Sequence, residues 1–181
     1  MNYAVFAEQA KRKLDILTDA ERFRFWVCLS QDAPYTWGGE TMLGPDCSGS
    51  VALGLFGAGY NVRLTADMYL RLLFTNTPGK TFDPQEIACV FYLADSDRGH
   101  GPGSIKKGTA SHVTPIVGDD VVLDAAWGKP ARLRSIGDAE RLHMGFGTTP
   151  VHASIDWAAL DTLHKSGKYP VDDKELLALM T

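Results

Sequence analysis

The spacing of apolar residues changes once along this chain, and that change limits the folds that the chain can adopt. Up to residue 74, apolar side chains recur every three or four positions, as on the buried face of an α-helix. From residue 87 they recur mainly at every second position, as in a β-strand. Helices followed by strands are the order of an α+β domain with an antiparallel sheet. The sequence therefore predicts that fold class.

Capping residues and glycines delimit the predicted helices. Thr18 and Glu21 form a capping-box pattern, and Thr65 is a suitable N-cap for a later helix. Helices are predicted over 3–17, 18–29, 48–56, 66–74 and 156–163, with a final amphipathic turn over 174–180. The two helices before residue 31 are expected to pack on the core.

The predicted strands cover 87–93, 112–118, 121–126 and 132–136. Cys89 in the first strand and Cys28 in the second helix are expected to be small buried side chains. Pro115 lacks the N–H that a sheet ladder needs, so its strand is expected at a sheet edge or at a bulge. The polar segment 95–110 is predicted to be a surface loop that either frames a cleft or is simply solvated.

The length and charge of the chain limit its domain count and its partners. Its 181 residues, 45% of them hydrophobic, are enough for one sizeable core. We expect a single domain, with helices over 1–30, a core over 31–136 and a C-terminal extension over 137–181. The formal net charge of −4, with no basic stripe, argues against nucleic acid as a partner.

The N-terminus and the cysteines bear on the compartment. The first 17 residues carry five charged side chains, which argues against a secretion signal and against a membrane span. We therefore expect synthesis in the cytoplasm without a Sec signal. The cysteines, at 28, 47 and 89, show neither a CxxC spacing nor a histidine pair at zinc spacing. This pattern argues against a disulfide framework and a structural metal, and leaves a free thiol.

Cys47 lies between a glycine-rich loop and an apolar helix, in the segment Pro-Asp-Cys-Ser-Gly over 45–49. Asp46 is a favoured N-cap, which would place Cys47 in the first helical turn. There the partial positive charge of the helix favours a thiolate, and a backbone N–H is free to face an oxyanion. Gly49 leaves room for a substrate or a neighbouring strand. The pattern is compatible with a nucleophile, although Cys47 taken alone favours an unreactive cysteine, so the interpretation depends on finding a base.

A cysteine nucleophile needs a base, and His112 begins a well-patterned strand. A three-residue turn would pair Val117 with Val121 and Thr114 with Asp124. His112 would then lie diagonal to Asp124 on the more polar face, at about 7–8 Å between backbones. Asp124 would orient the imidazole, or would instead be a strand-end carboxylate bonded to a backbone amide. The other histidines are expected at the surface: His100, His143, His152 and His164.

Four motifs between residues 30 and 136 resemble, in order, those of the NlpC/P60 family of papain-like cysteine peptidases. They are Pro34-Tyr35-Thr36-Trp37-Gly38-Gly39, Asp46-Cys47-Ser48-Gly49, Arg63-Leu64-Thr65-Ala66-Asp67, and Ser111-His112-Val113 followed by Gly118-Asp119 and Asp124-Ala125. The resemblance implies the papain-like NlpC/P60 fold, in which a helix bearing the cysteine packs on an antiparallel sheet bearing the histidine.

The resemblance also implies roles for individual residues. Cys47 would be the nucleophile, His112 the base and then the acid, and Asp124 the third catalytic residue. The residues that would bind substrate are Tyr35, near the oxyanion, Asp46 and Ser48, in the pocket for the L-alanine side of the stem peptide, and Ser111.

This chain departs from the family pattern at a few positions. The family usually has His, Asn or Gln where this chain has Asp124, and Gly where it has Thr114. Cys47 and His112 are 65 residues apart, which is more than the motifs lead us to expect and is explained by the loop over 95–110.

The function that the resemblance implies is that of a cysteine peptidase or amidase. It would cut an amide of bacterial peptidoglycan stem peptides through an acyl-thioester on Cys47, with no metal or organic cofactor. The bond implied is that between γ-D-glutamate and the third-position diamino acid. The expected absence of a Sec signal fits a phage lysin, a tail-associated enzyme or a protein exported by another route to act on the cell wall. The alternatives are an acyltransferase with the same site and a non-catalytic wall-binding module.

Overall fold

The computed structural model describes residues 14–78, 82–99 and 104–167. The helices in these ranges are α1 (Asp19–Cys28), α2 (Cys47–Gly57), α3 (Ala66–Leu73), α4 (Ile136–Met144) and α5 (Trp157–Ser166). The strands are β1 (Phe74–Asn76), β2 (Ala88–Ala94), β3 (Ala110–Gly118), β4 (Val121–Asp124), β5 (Arg132–Ser135) and β6 (Thr148–Ile155). Most of the helix predicted over 3–17, and all of the turn over 174–180, lie outside the described residues.

The early helices begin where their capping residues predict. The backbone N–H of Glu21 donates to Thr18 Oγ1 at 3.2 Å, and that of Thr18 donates to Glu21 Oε2 at 2.8 Å, which completes the capping box. Thr65 Oγ1 accepts from the N–H of Met68 at 3.3 Å. These caps begin two helices of the main core, and the first of them, α1, packs directly on the cysteine-bearing helix α2.

The six strands of the described residues form one sheet in the order β1-β6-β2-β3-β4-β5, and every neighbouring pair is antiparallel. Helices α1, α2, α3 and α5 contribute to the main core on one face. Helix α4 covers a smaller cluster on the other face, where Ala139 packs with Val90, Tyr92, Ile116 and Val122. The predicted α+β class is confirmed. None of the helices in the described ranges is long and apolar enough to span a membrane.

Helix α4 and strand β6 were not predicted, and both lie in the segment expected to be a loop-rich extension. Strand β6 is internal to the sheet, with seven residues paired to β2 and three paired to β1. The expectation of a surface position is wrong for His143, which α4 lays on the sheet at 7% exposure. His152 and His164 are half-buried, and His100 lies outside the described residues.

The β3–β4 hairpin has the predicted register but a different turn. Ile116 lies opposite Val122, which the predicted pairing requires. However, Gly118 pairs with Val121, so the turn has two residues and the extra residue forms a bulge between Ile116 and Gly118. Both faces of the hairpin are buried because α4 covers the face expected to be polar.

The predictions for Pro115 and the cysteines have mixed outcomes. Strand β3 is internal, so an edge position for Pro115 is wrong; Pro115 lies opposite Cys89, beside the bulge. Cys89 is fully buried, as predicted. Cys28 is only half-buried, because it lies at the last residue of α1.

Candidate active site

A cleft of about 610 Å³ lies where the N-terminus of α2 faces the start of β3. Six of the seven side chains predicted for the site line it: Tyr35, Asp46, Cys47, Ser48, Ser111 and His112. Ile105 also lines the cleft, so the loop over 95–110 contributes to the cleft wall. The seventh predicted residue, Asp124, is behind His112 and is 1% exposed.

Asp46 organises the first turn of α2. Its Oδ1 accepts from the N–H of Gly49 at 2.5 Å and from Ser48 Oγ at 3.0 Å, while Oδ2 accepts from the N–H of Gly38 at 2.9 Å. Arg63 Nη2 lies 3.1 Å from Oδ2. The carboxylate is therefore an N-cap as well as a wall of the cleft, and it places Cys47 at the first residue of the helix.

Gly49 permits a close backbone contact at the same helix turn. A Cβ at this position would lie 1.8 Å from the carbonyl oxygen of Gly39, so only glycine fits. The same carbonyl accepts from the N–H of Asp46 at 2.9 Å. The neighbour for which Gly49 makes room is thus the loop that carries Tyr35 and Trp37.

His112 connects Cys47 to Asp124. Its Nε2 lies 3.0 Å from Asp124 Oδ1. His112 and Cys47 line the same cleft, and Nδ1 is the ring nitrogen left for the sulfur. Burial alone would lower the pKa of His112. The charge and hydrogen bond of Cys47, together with those of Asp124, outweigh burial and raise the pKa to about 9. The imidazole is therefore protonated at neutral pH.

Asp124 contacts three side chains. His112 and His143 donate from Nε2 to Oδ1 at 3.0 and 3.2 Å, and Arg134 donates from Nε to Oδ2 at 2.9 Å. Burial would raise the pKa of Asp124, but the hydrogen bonds from the two histidines lower it further than burial raises it. The carboxylate is thus ionised, and these contacts favour an orienting role over a bond to a backbone amide.

His143 and Arg134 were not predicted to lie in this cluster. Ser135 accepts from the N–H of Asp138 at 3.1 Å and caps α4, so the Ser-x-x-Asp spacing was a usable signal for this helix. Ile136, Ala139 and His143 follow at helical spacing toward the sheet. The diagonal contact of Arg134 across β4 could not be predicted without knowing the β4–β5 register.

Aromatic side chains line one wall of the cleft. The Tyr35 and Trp127 ring centroids are 5.7 Å apart, and those of Trp37 and Trp127 are 5.5 Å apart. Burial, with the negative charges of Cys47 and Asp46, raises the pKa of Tyr35, so its hydroxyl stays protonated and can donate. Ser111 Oγ donates to the carbonyl of Tyr92 at 3.1 Å.

His112, Asp124 and His143 are also residue types that bind metals, and their ligand atoms lie within 4.8 Å of one another. Hydrogen bonds within the cluster already use these atoms, and Arg134 occupies the second oxygen of Asp124. A cation at this position would have to displace the protons that join the two histidines to the carboxylate.

Solved structures of NlpC/P60 proteins align with this chain. A NlpC/P60 family protein from Bacillus cereus ATCC 10987 aligns with 73% of this chain and 39% of its own, at 16% identity and a TM-score of 0.53. NlpC1 from Trichomonas vaginalis aligns with 76% of this chain and 43% of its own, at 16% identity and a TM-score of 0.52. The NlpC/p60 domain of the peptidoglycan hydrolase SagA aligns with 76% of this chain and 97% of its own, at 16% identity and a TM-score of 0.36.

No protein-family model and no curated protein matches the sequence. The aligned region spans about two fifths of the first two structures, so the likeness concerns the domain and not the whole of those proteins. Their fold agrees with the motifs in this chain, with the cysteine at the start of a helix and the histidine on an antiparallel sheet. The chain therefore has the fold of the NlpC/P60 family.

Proposed function

We propose that this protein is a cysteine hydrolase that cleaves an amide bond through an acyl-thioester on Cys47. The observation that carries the proposal is the alignment of three side chains from three elements: Cys47 on α2, His112 on β3 and Asp124 on β4. His112 bonds Asp124 through Nε2, which leaves Nδ1 as the nitrogen that would serve Cys47 in the same cleft. This is the arrangement that nucleophilic catalysis requires.

In the first half-reaction, the Cys47 thiolate attacks the carbonyl carbon of the amide. The N–H groups at the start of α2 and the protonated hydroxyl of Tyr35 lie beside the cleft, where they can stabilise the oxyanion. The C–N bond breaks as the His112 imidazolium gives its proton to the leaving amine. A thioester on Cys47 and a neutral His112 remain.

In the second half-reaction, water replaces the amine. Neutral His112 takes a proton from the water, whose oxygen attacks the thioester carbonyl. The C–S bond breaks, which releases a carboxylic acid and restores the Cys47 thiolate beside the His112 imidazolium. Asp124 remains ionised throughout, because its role is to orient the ring and stabilise its positive charge.

The proposed substrate is a peptidoglycan stem peptide. Four motifs that resemble the NlpC/P60 family support this class, and two of them supply Tyr35, Asp46 and Ser48 to the cleft. Asp46 and Ser48 would line the pocket for the L-alanine end of the peptide, and the bond cut would be that between γ-D-glutamate and the diamino acid. Action on the cell wall, as a phage-associated or exported enzyme, is part of the same proposal.

The test is digestion of purified sacculi followed by mass spectrometry of the soluble products. Wild-type protein should release muropeptides cut at one amide, and Cys47→Ala should release none, because the nucleophile is gone. Cys28→Ala is the matched control, since this thiol is half-buried at the end of α1, and it should retain activity.

Two outcomes would contradict the proposal in different ways. Transfer of an acyl group to an amine or lipid without muropeptide release would indicate an acyltransferase. Labelling of Cys47 by a thiol reagent at neutral pH no faster than labelling of Cys28 would indicate a non-catalytic binding module.

A further inference from the structure

Two histidines form hydrogen bonds with the same oxygen of Asp124, Oδ1, and these bonds determine which ring nitrogen carries a hydrogen in each histidine. The oxygen accepts from Nε2 of His112 and from Nε2 of His143. An ionised carboxylate has no proton to donate, so each Nε2 must carry a hydrogen. Burial, together with the positive charge of His112, lowers the pKa of His143. His143 is therefore a neutral imidazole in the Nε2–H tautomer.

The His143 ring has little freedom to turn away from Asp124. Its centroid lies 4.2 Å from that of His112, with 31° between the ring planes, and 4.4 Å from that of Tyr92. The backbone of His143 is also fixed, because its carbonyl accepts from Thr148 Oγ1 at 2.8 Å. The direction of the Nε2–H bond is thus restricted by two neighbouring rings and by a fixed backbone.

One continuous segment supplies donors to both oxygens of Asp124. Arg134 on β5 donates to Oδ2, and Ser135, the next residue, caps α4, whose last turn carries His143. A carboxylate bonded at one oxygen can rotate about its Cβ–Cγ bond. Donors at both oxygens remove that rotation and keep Oδ1 directed at His112.

We propose that His143 is a positioning residue, which holds Asp124 Oδ1 in line with His112 so that His112 keeps its other nitrogen toward Cys47. The proposal rests on the proposed function, because it assigns His143 to the same Cys47–His112 pair. His143 acts through Asp124, so its removal should weaken the thiolate–imidazolium pair without removing either member.

The test follows alkylation of Cys47 by iodoacetamide between pH 5 and 9, measured by intact-protein mass spectrometry. It needs no peptidoglycan, so the result does not depend on which amide is cut. His143→Ala should react about tenfold more slowly at pH 6, the loss expected for one hydrogen bond to a charged group, and its reactivity should rise only at higher pH. His143→Gln retains an N–H donor and should recover most of the rate.

His152→Ala is the matched control. His152 Nε2 lies 2.6 Å from Glu140 Oε1, so it ties β6 to the same helix α4 but does not touch Asp124. Its alkylation profile should equal that of the wild type. In an Asp124→Ala background, adding His143→Ala should cause no further loss, because the residue through which His143 acts is already absent.

Three results would overturn the proposal: an equal loss with His152→Ala, an additive loss in the double variant, or full reactivity of His143→Ala at pH 6. If His143→Ala does not unfold cooperatively, ¹⁵N chemical shifts of the wild-type imidazoles replace alkylation as the test. An Nδ1–H tautomer of His143, or a charged His143 at pH 7, would then overturn the proposal. Slow alkylation of wild-type Cys47 would instead refute the proposed function itself.

Discussion

Two buried aspartates lie on either side of the Cys47–His112 pair, and their charges are balanced by different kinds of groups. Asp46 accepts hydrogen bonds from backbone N–H groups of Gly38 and Gly49 and pairs with Arg63. Asp124 accepts hydrogen bonds from two imidazoles and one guanidinium. Backbone amides and arginine keep their hydrogens over the whole working pH range, whereas imidazoles do not.

The difference assigns separate tasks to the two carboxylates. The partners of Asp46 lie between residues 38 and 63 and join a loop to a helix, so this carboxylate anchors the cleft wall. The partners of Asp124 come from β3, β5 and α4, and two of them titrate. Under the proposed function, Asp124 would therefore affect the charge of His112 more than the shape of the cleft.

The largest expected effect is on stability, from Asp46→Ala. This change removes the N-cap of α2 and leaves Arg63 without its buried partner, so we expect a loss of about 3 kcal/mol in the free energy of unfolding. Urea denaturation measures it. Asp156→Ala is the control, because Asp156 caps α5 through the N–H groups of Ala158 and Ala159 at an exposed site, and it should cost about 1 kcal/mol. Equal losses in the free energy of unfolding for Asp46→Ala and Asp156→Ala would show that Asp46 contributes no more than an ordinary helix cap.

The next effect is on the pH dependence of activity, from Asp124→Asn. In the wild type, activity should fall as pH rises through about 9, because His112 then loses the proton that the leaving amine needs. Asparagine keeps the shape but not the charge, so the alkaline limb should move down by about one pH unit, with about fivefold less activity at pH 9. The pH profile of kcat/KM measures this shift. Asp46→Asn should leave the limb in place, and a limb that stays near 9 in Asp124→Asn would contradict the assignment.

The wild type and Asp124→Asn should also differ in how their stability changes at acid pH. The lowered pKa of Asp124 means that its contribution is present above the unfolded-state value of about 3.9 and is lost as pH falls below that value. The wild type should therefore lose more stability than Asp124→Asn between pH 5 and 3, by about 1.3 kcal/mol over the whole interval and mostly below pH 4. Urea midpoints at several pH values test this, and parallel curves for the two proteins would show that Asp124 does not titrate as described.

The smallest expected effect is at the aromatic wall. Trp127 is 72% exposed, so Trp127→Ala should change the free energy of unfolding by less than about 0.5 kcal/mol. Its ring contacts those of Tyr35 and Trp37 in the cleft, so KM for a stem peptide should rise about threefold, as for loss of a modest apolar contact. Phe25→Ala, at an exposed position on α1, should leave KM unchanged. Equal KM values in all three proteins would place the substrate elsewhere.

The parts of the site that could be predicted are those with local causes. The cap at Asp46 depends on residues within one helical turn, and the pairing of Ile116 opposite Val122, which brings Asp124 near His112, follows from alternation across a short turn. Two other elements had weaker signals. Helix α4 is short and carries Gly137 in its first turn.

Strand β6 contains Pro150, which is tolerated because only residues 153–155 pair with β1. After the buried Thr148, burial increases along the strand instead of alternating, so the pattern of a half-buried strand is missing. The positions of His143 and Arg134 beside Asp124 depend on how α4 and β5 pack against β4, which no local pattern encodes.

The internal position of β6 also affects how the protein comes to be folded during synthesis. Strand β2 needs residues 148–155 along one side, so that side stays unpaired while roughly 55 further residues leave the ribosome. Until then the sheet is incomplete, and the position of His112 on β3 is not yet fixed by the neighbouring strands. Cys47 and His112 are thus expected to reach their final arrangement late, as one of the last events of folding.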